Sequence, residues 1–162
     1  MEIKMKRSEV GEKMAAFKRL DRVNETRFAY AIAKNKQILK RELEAIQEAR
    51  KISDAYKEYD VERLELVRDH AERDEDGNPV MIDAVNIKVR NRMEFNAALE
   101  KLQEGHKEAL EDERARVEKF EAFLGEEFTI EMFGIKPEHI PDDLSSEEMY
   151  GIMDLIDGDL EI

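Results

Sequence analysis

The feature that most constrains this chain is residues 25–57, which contain neither glycine nor proline. Within that stretch Phe28, Ile32, Leu39, Leu43, Ile46, Ile52 and Tyr56 recur near one face of a 3.6-residue helix. Lys and Glu fill the other positions. The pattern resumes at Val61, Leu64, Val67 and Ala71. The spacing predicts either one helix over 25–73 or two helices with a break near Ser53–Asp60. A straight helix over 25–73 would be about 73 Å long at 1.5 Å per residue. That is far longer than a small domain is wide, so it must project or pack against another long helix.

A second long helix is predicted over 92–124. Asn91 is placed to cap it, and its apolar face is Phe95, Leu99, Leu102, Leu110, Val117, Phe120 and Leu124. Gly105 interrupts the face and predicts a kink. Gly125 suits the end. The acidic run 73–79, closing on Asp76-Gly77-Asn78-Pro79, is turn chemistry that ends the first long helix. The two helices are expected to pack antiparallel as a coiled-coil arm.

Shorter elements complete the chain. Ile3 and Met5 alternate with charged neighbours, as in a strand. Ser8 is a candidate cap for a helix to about Asp21 with Val10, Met14, Phe17 and Leu20 on its apolar face. Asn24 is the candidate cap of the long helix. Val85, Ile87 and Val89 alternate, as do Phe128, Ile130 and Met132, and each set predicts a strand. Residues 136–141 form a proline-bounded loop. Ser145 and Glu148 match a capping box ahead of Met149, Ile152, Met153 and Ile156. Gly158 ends that helix, and the acidic tail 159–162 is expected to fray. The fold class is therefore mainly α with a small β element (α+β). One domain is expected over 1–162, with 25–73 and 92–124 as the arm and 126–162 as strand, loop and short helix.

Composition removes several chemistries. The 162 residues include no cysteine, which excludes disulfide frameworks, thiol nucleophiles and thiolate-held metals. No run of 18 apolar residues offers a transmembrane helix, and the first residues lack the apolar core of a secretory signal. A cytoplasmic location is the expectation, with no membrane partner. The formal charge is −13, unevenly spread. Residues 1–52 hold 14 Lys/Arg and 8 Asp/Glu, and residues 104–162 hold 5 and 19. An acidic surface repels nucleic acid, so direct nucleic-acid binding is not expected. The basic stripe on the first long helix is expected to pair with acidic neighbours.

Catalytic and metal motifs are sparse. Set against a twelve-residue calcium loop, Glu72, Asp74 and Asp76 take positions 1, 3 and 5, Gly77 position 6 and Asp83 position 12. Glu at the first position, Pro79 at the eighth and the strand-like continuation depart from that pattern. An acidic, solvated turn is the competing reading. His70 and Asp74 sit four apart, as on one helix face, but two ligands make no zinc site. His106 and His139 read as surface histidines. No nucleophile, base and orienting group stand in a recognisable set. A non-enzymatic protein with no cofactor and no metal is expected.

The order of features resembles a family of small helical proteins of unassigned activity, encoded by tailed phages and prophages of Gram-positive bacteria. The resemblance rests on Tyr30-Ala31-Ile32-Ala33-Lys34-Asn35-Lys36-Gln37-Ile38-Leu39 and the Glu-rich helix after it. It continues in Asp74-Glu75-Asp76-Gly77-Asn78-Pro79 and in the helix of Phe95, Leu99 and Leu102. It closes with Ile140-Pro141-Asp142-Asp143-Leu144-Ser145. The resemblance implies a phage origin and a role in virion assembly or host interference, and it carries no catalytic residue across.

Two functions follow as expectations. The first is protein–protein interaction through the long helices, with a partner or a second copy, carried by Leu39, Leu43, Ile46, Leu102, Leu110 and Val117. The second is inhibition of a nucleic-acid-binding host defence protein by acidic mimicry. Its surface would be Glu111, Asp112, Glu113, Glu118, Glu121, Glu126 and Glu127.

Overall fold

The computed structural model describes residues 1–158; the tail at 159–162, expected to fray, lies outside them. The described residues form six helices and one two-stranded antiparallel sheet, so the chain is mainly α with a small β element. The contacts divide it into two compact units rather than one domain with an arm. Unit 1 is residues 1–51 and 120–162, and unit 2 is residues 52–119.

Unit 1 begins with strand β1 (Glu2–Lys6), which pairs with β2 (Glu127–Glu131) in the register Ile3↔Ile130 and Met5↔Phe128. Alternation alone predicts both strands, and Ile3, Met5 and Ile130 are buried as that alternation requires. Helix α1 (Val10–Arg19) follows a 3-10 turn at Arg7–Glu9. The chain enters that turn at Lys6, whose N–H donates to Glu9 Oε2 at 2.7 Å, so Ser8 is not the cap. Helix α1 buries Val10, Met14 and Phe17, the face its spacing foretells, and Leu20 follows in the next 3-10 turn.

Helix α2 (Thr26–Ala49) starts behind Glu25, not Asn24, and no side chain caps it. It buries Phe28, Ala31, Ile32 and Leu39 in the same core as α1 and the sheet. Removing Phe28, Ile32 or Leu39 from water stabilises the unit by about 1.5–3 kcal/mol each. Asn35 is fully buried amid this stripe. Its Nδ2–H donates to Phe133 O at 2.9 Å, and its Oδ1 accepts from Phe133 N at 2.7 Å. One side chain thus replaces a strand partner for the backbone just beyond β2, which is how a buried amide avoids its desolvation cost.

Helix α6 (Ser146–Ile152) starts at the predicted capping box. Ser145 Oγ accepts from Glu148 N at 3.3 Å, and Glu148 Oε2 accepts from Ser145 N at 2.9 Å. It packs on α1 through Gly151, where an added Cβ would lie 3.0 Å from that of Ala16. Arg22 donates to Glu148 at 2.9 Å, and Lys13 and Arg19 pair with Asp154 and Glu147. Some of the basic face of the first 51 residues is therefore matched by acidic groups of the chain's end. Arg7 lies 4.2 Å from the Phe123 ring centre and 5.1 Å from that of Phe128, with its Nη1 donating to Glu126.

Unit 2 is built on helices α3 (Asp54–Asp69) and α4 (Arg92–Gly105). Of the two readings of 25–73 the broken one holds, with the break at 50–53 rather than across Ser53–Asp60: α2 ends at Ala49, and Ser53 caps α3 by accepting from Tyr56 N at 3.2 Å. Asn91 caps α4 by accepting from Met93 N and Glu94 N. Tyr59 and Glu62 of α3 touch His106 beyond the end of α4, while His70 touches Phe95 near its start. The pair is therefore antiparallel. This hairpin joins 54–69 to 92–105 and leaves α2 out of it. The apolar face of α2 is spent on unit 1, so the expected arm of two long helices does not form. The kink expected at Gly105 is a full break, and α5 (Lys107–Gly125) begins after His106. The boundary between the units falls within α5.

The segment between α3 and α4 holds isolated bridges, Ala71↔Val89, Arg73↔Pro79 and Met81↔Ile87, in place of the expected strand at 85–89. Two tight turns interrupt it. Asp74 Oδ1 accepts from Asp76 N and Asn78 N, with Gly77 at a positive φ of 84°. Asp83 Oδ1 accepts from Val85 N and Asn86 N. Two turns so close together leave no room for a ladder.

Candidate functional site

Unit 2 is unusual in what it fails to bury. Across 52–119 the buried residues are Tyr59, Ala71 and Ala109, and none is a large aliphatic side chain. Unit 1 supplies every member of the main apolar core. Meanwhile Val85 is 82% exposed and Ile82 69%, with Val61, Leu64, Met81 and Met93 also exposed. Scattered exposed apolar residues are ordinary, but Leu64, Ile82 and Val85 share one groove, while Val61, Met81 and Met93 lie outside it.

That groove has a volume of about 720 Å³. Helix α3 supplies Leu64 and Val67, the bridged segment supplies Ile82, Val85, Ile87 and Val89, and α4 supplies Phe95. The sequence places Leu64 and Val67 three apart on one helical face. It places Val85, Ile87 and Val89 on one side of an extended chain. The Asp83 turn then carries Ile82 and Val85 outward. Asn86 Nδ2–H donates to Asp83 Oδ2 at 2.6 Å. That bond, with the Val85 and Asn86 amides, holds the Asp83 carboxyl below its ordinary range.

The charged side chains that line the groove have one sign. Arg63, Lys88 and Arg92 line it, and no carboxylate does. Arg63 is tied to Asp60 at 2.8 Å and Lys88 to Glu72 at 2.9 Å. This rim is basic in a unit whose 12 Lys/Arg face 19 Asp/Glu. Chemically the groove suits apolar side chains flanked by carboxylates.

The residues named from sequence fall elsewhere. Leu39 is fully buried, and Leu43 and Ile46 are half-buried against the unit 1 core. Leu39 is closed to a partner, and Leu43 and Ile46 spend part of their surface on that core. Leu102 and Leu110 are half-buried in unit 2, and Val117 is exposed. Apolar spacing alone does not separate a core face from an interaction face; burial does. The groove residues Leu64, Val67, Val85 and Phe95 were visible as apolar positions, but nothing in their spacing foretold that the fold leaves Leu64 and Val85 exposed and Val67 and Phe95 half-buried at a groove.

The acidic set is divided. Glu111, Asp112, Glu113 and Glu118 belong to unit 2, and Glu121, Glu126 and Glu127 to unit 1. Glu113 is held by Arg116 at 2.7 Å, which lowers its pKa, and Glu126 by Arg7 at 2.6 Å. Lys107 lies 3.8 Å from Glu111. At 100° per residue, positions 111, 112, 113 and 118 point around α5 rather than along one face.

In the 72–83 segment Asp74 and Asp83 each close their own turn, and Glu72 pairs with Lys88. Among the described residues, no three His, Asp or Glu side chains gather as metal ligands would. Helix α3 ends at Asp69, so His70 and Asp74 share no helix face. His70 Nδ1–H donates to Leu66 O at 3.0 Å, and His106 Nε2 lies 3.2 Å from Glu62. No described helix is long and apolar enough to cross a membrane.

Comparison of this chain with protein families, with curated proteins and with solved structures finds no match.

Proposed function

We propose that the protein is a non-enzymatic protein–protein interaction module, and that its 52–119 unit receives an apolar, acidic segment of a partner protein in the groove between α3, α4 and the Asp83 turn. The observation that carries this reading is the missing core. Unit 2 folds α3, α4, the first part of α5 and two turns without burying one large aliphatic residue, and it leaves Ile82 and Val85 in water. Covering them would release apolar surface worth about 25 cal/mol per Å². Of the lining cations Arg63 and Lys88 already hold Asp60 and Glu72, which leaves Arg92 to favour a carboxylate beside those apolar groups. The resemblance to phage-encoded proteins supports virion assembly or host interference as the setting. The acidic-mimic alternative draws less support, because its charges are partly spent on Arg7, Arg116 and Lys107 and do not share one face.

The test is a photocrosslinker placed at Val85 in living cells. A discrete adduct that disappears when Leu64→Asp is added supports the reading. No adduct, or an adduct indifferent to Leu64→Asp, overturns it. An adduct with the protein's own chain identifies the occupant as a second copy.

A further inference from the structure

Unit 1 holds a separate cavity of about 580 Å³ between the first turns of α2 and the segment after β2. That volume suits a small ligand. The wall includes Ala31 and Ile135 and two aromatic rings, Tyr30 and Phe133, which meet edge to face with centres 5.7 Å apart. Both rings are left half in water, Tyr30 at 54% and Phe133 at 47%. The wall is nonetheless held firmly. The Asn35 amide grips both backbone groups of Phe133. Ile135 N donates to Leu155 O at 2.7 Å, and Asp157 N donates to Ile135 O at 2.8 Å. Fixed, exposed aromatic faces are a preorganised surface.

Basic groups stand at the same cavity. Arg27, Lys136 and His139 line it, against one carboxylate, Asp157, among the described residues. Arg27 Nη1–H donates to His139 Nε2 at 2.8 Å, a contact that needs the neutral imidazole with its proton on Nδ1. Arg27 has no ion pair with a described carboxylate, and neither has Lys136. In a chain where Asp and Glu outnumber Lys and Arg 40 to 27, two such cations beside exposed rings are conspicuous.

We propose that this cavity binds a small organic carboxylate with an aromatic body. The ring lies against Tyr30 and Phe133. The carboxylate accepts from the Arg27 guanidinium and the Lys136 ammonium, and Arg27 exchanges its imidazole acceptor for an anionic one, which forms the stronger bond. The site belongs to unit 1 alone and stands or falls apart from the groove of unit 2.

The chain has no tryptophan, so naphthalene fluorescence reports binding without indole background. Titration with 2-naphthylacetate, 2-naphthylacetamide and acetate separates the contributions of ring and charge. The acid is expected to bind one to one, with the amide and acetate each about tenfold weaker or more. Arg27→Gln and Lys136→Gln are exposed changes that leave the core intact, and each is expected to weaken the acid about tenfold while leaving the amide unmoved. The proposal is overturned by unsaturable binding of the acid into the millimolar range, by equal binding of acid and amide, or by Gln variants that bind the acid as the parent does.

Discussion

At the residue scale, single side chains carry much of the order in unit 1. Asn35 satisfies Phe133 N and O together, so Asn35→Leu keeps the branched shape and strands both groups. A loss of about 2 kcal/mol is expected, read as a lower urea midpoint with unchanged slope. Among the described residues, Glu148 is the most perturbed carboxyl. Hydrogen bonding from Arg22, then from the Ser145 backbone and hydroxyl, holds its pKa down from the ordinary 4.5 to about 2. A depressed pKa means the folded state binds the proton less readily than the unfolded one. The stabilisation is therefore complete above about pH 4.5 and is lost as pH falls towards 2. Glu148→Gln is expected to flatten that part of the stability profile, measured by urea unfolding across the acid range. A profile as steep as the parent's would mean that other carboxylates dominate acid unfolding.

At the element scale, Gly105 and Gly151 make opposite predictions. An added Cβ at Gly105 meets nothing within 4 Å, so Gly105→Ala is expected to stabilise the α4 end by about 0.5–1 kcal/mol. At Gly151 the Cβ would press on Ala16, so Gly151→Ala is expected to loosen α6 from α1 and cost about 1 kcal/mol. Thermal melts of the two variants should move in opposite directions. These elements also mark how far the sequence could be read. Period and capping chemistry were enough for β1, β2, the Asn91 cap and the Ser145–Glu148 box, because each is a local arrangement. Gly105 marked an interruption for the same reason, read as a kink where the helix ends outright, while the break at 50–53 stood only as one of two readings. Asn35 was not legible, since its partner lies 98 residues away. The expected strand at 85–89 failed because two Asx turns cut the segment into single bridges. The hairpin partner of α4 was misjudged because α2 and α3 carry the same apolar spacing, and only packing decides which face is spent on a core. The groove was illegible as a groove: sequence marks its residues as apolar, not as uncovered.

At the scale of the whole molecule, the unequal cores predict unequal stability. Amides of 54–69 and 92–105 are expected to exchange with deuterium faster than those of 28–39, because local opening there exposes little that was buried. Hydrogen exchange by mass spectrometry checks this, and equal protection would show that unit 2 draws stability from something other than apolar burial. The pairing of β1 with β2 has a further consequence for the time course of synthesis. Ile3 waits for Ile130, and everything in unit 2 is translated in between. At about 5–20 residues per second the gap is roughly 6–25 s. Helices α3 and α4 have their partners at hand long before the first strand has its own. The emerging chain thus carries an orphan strand and the uncovered apolar faces of α1 and α2 past the ribosome exit, and holding these apart from other chains is the hazard its biogenesis has to meet.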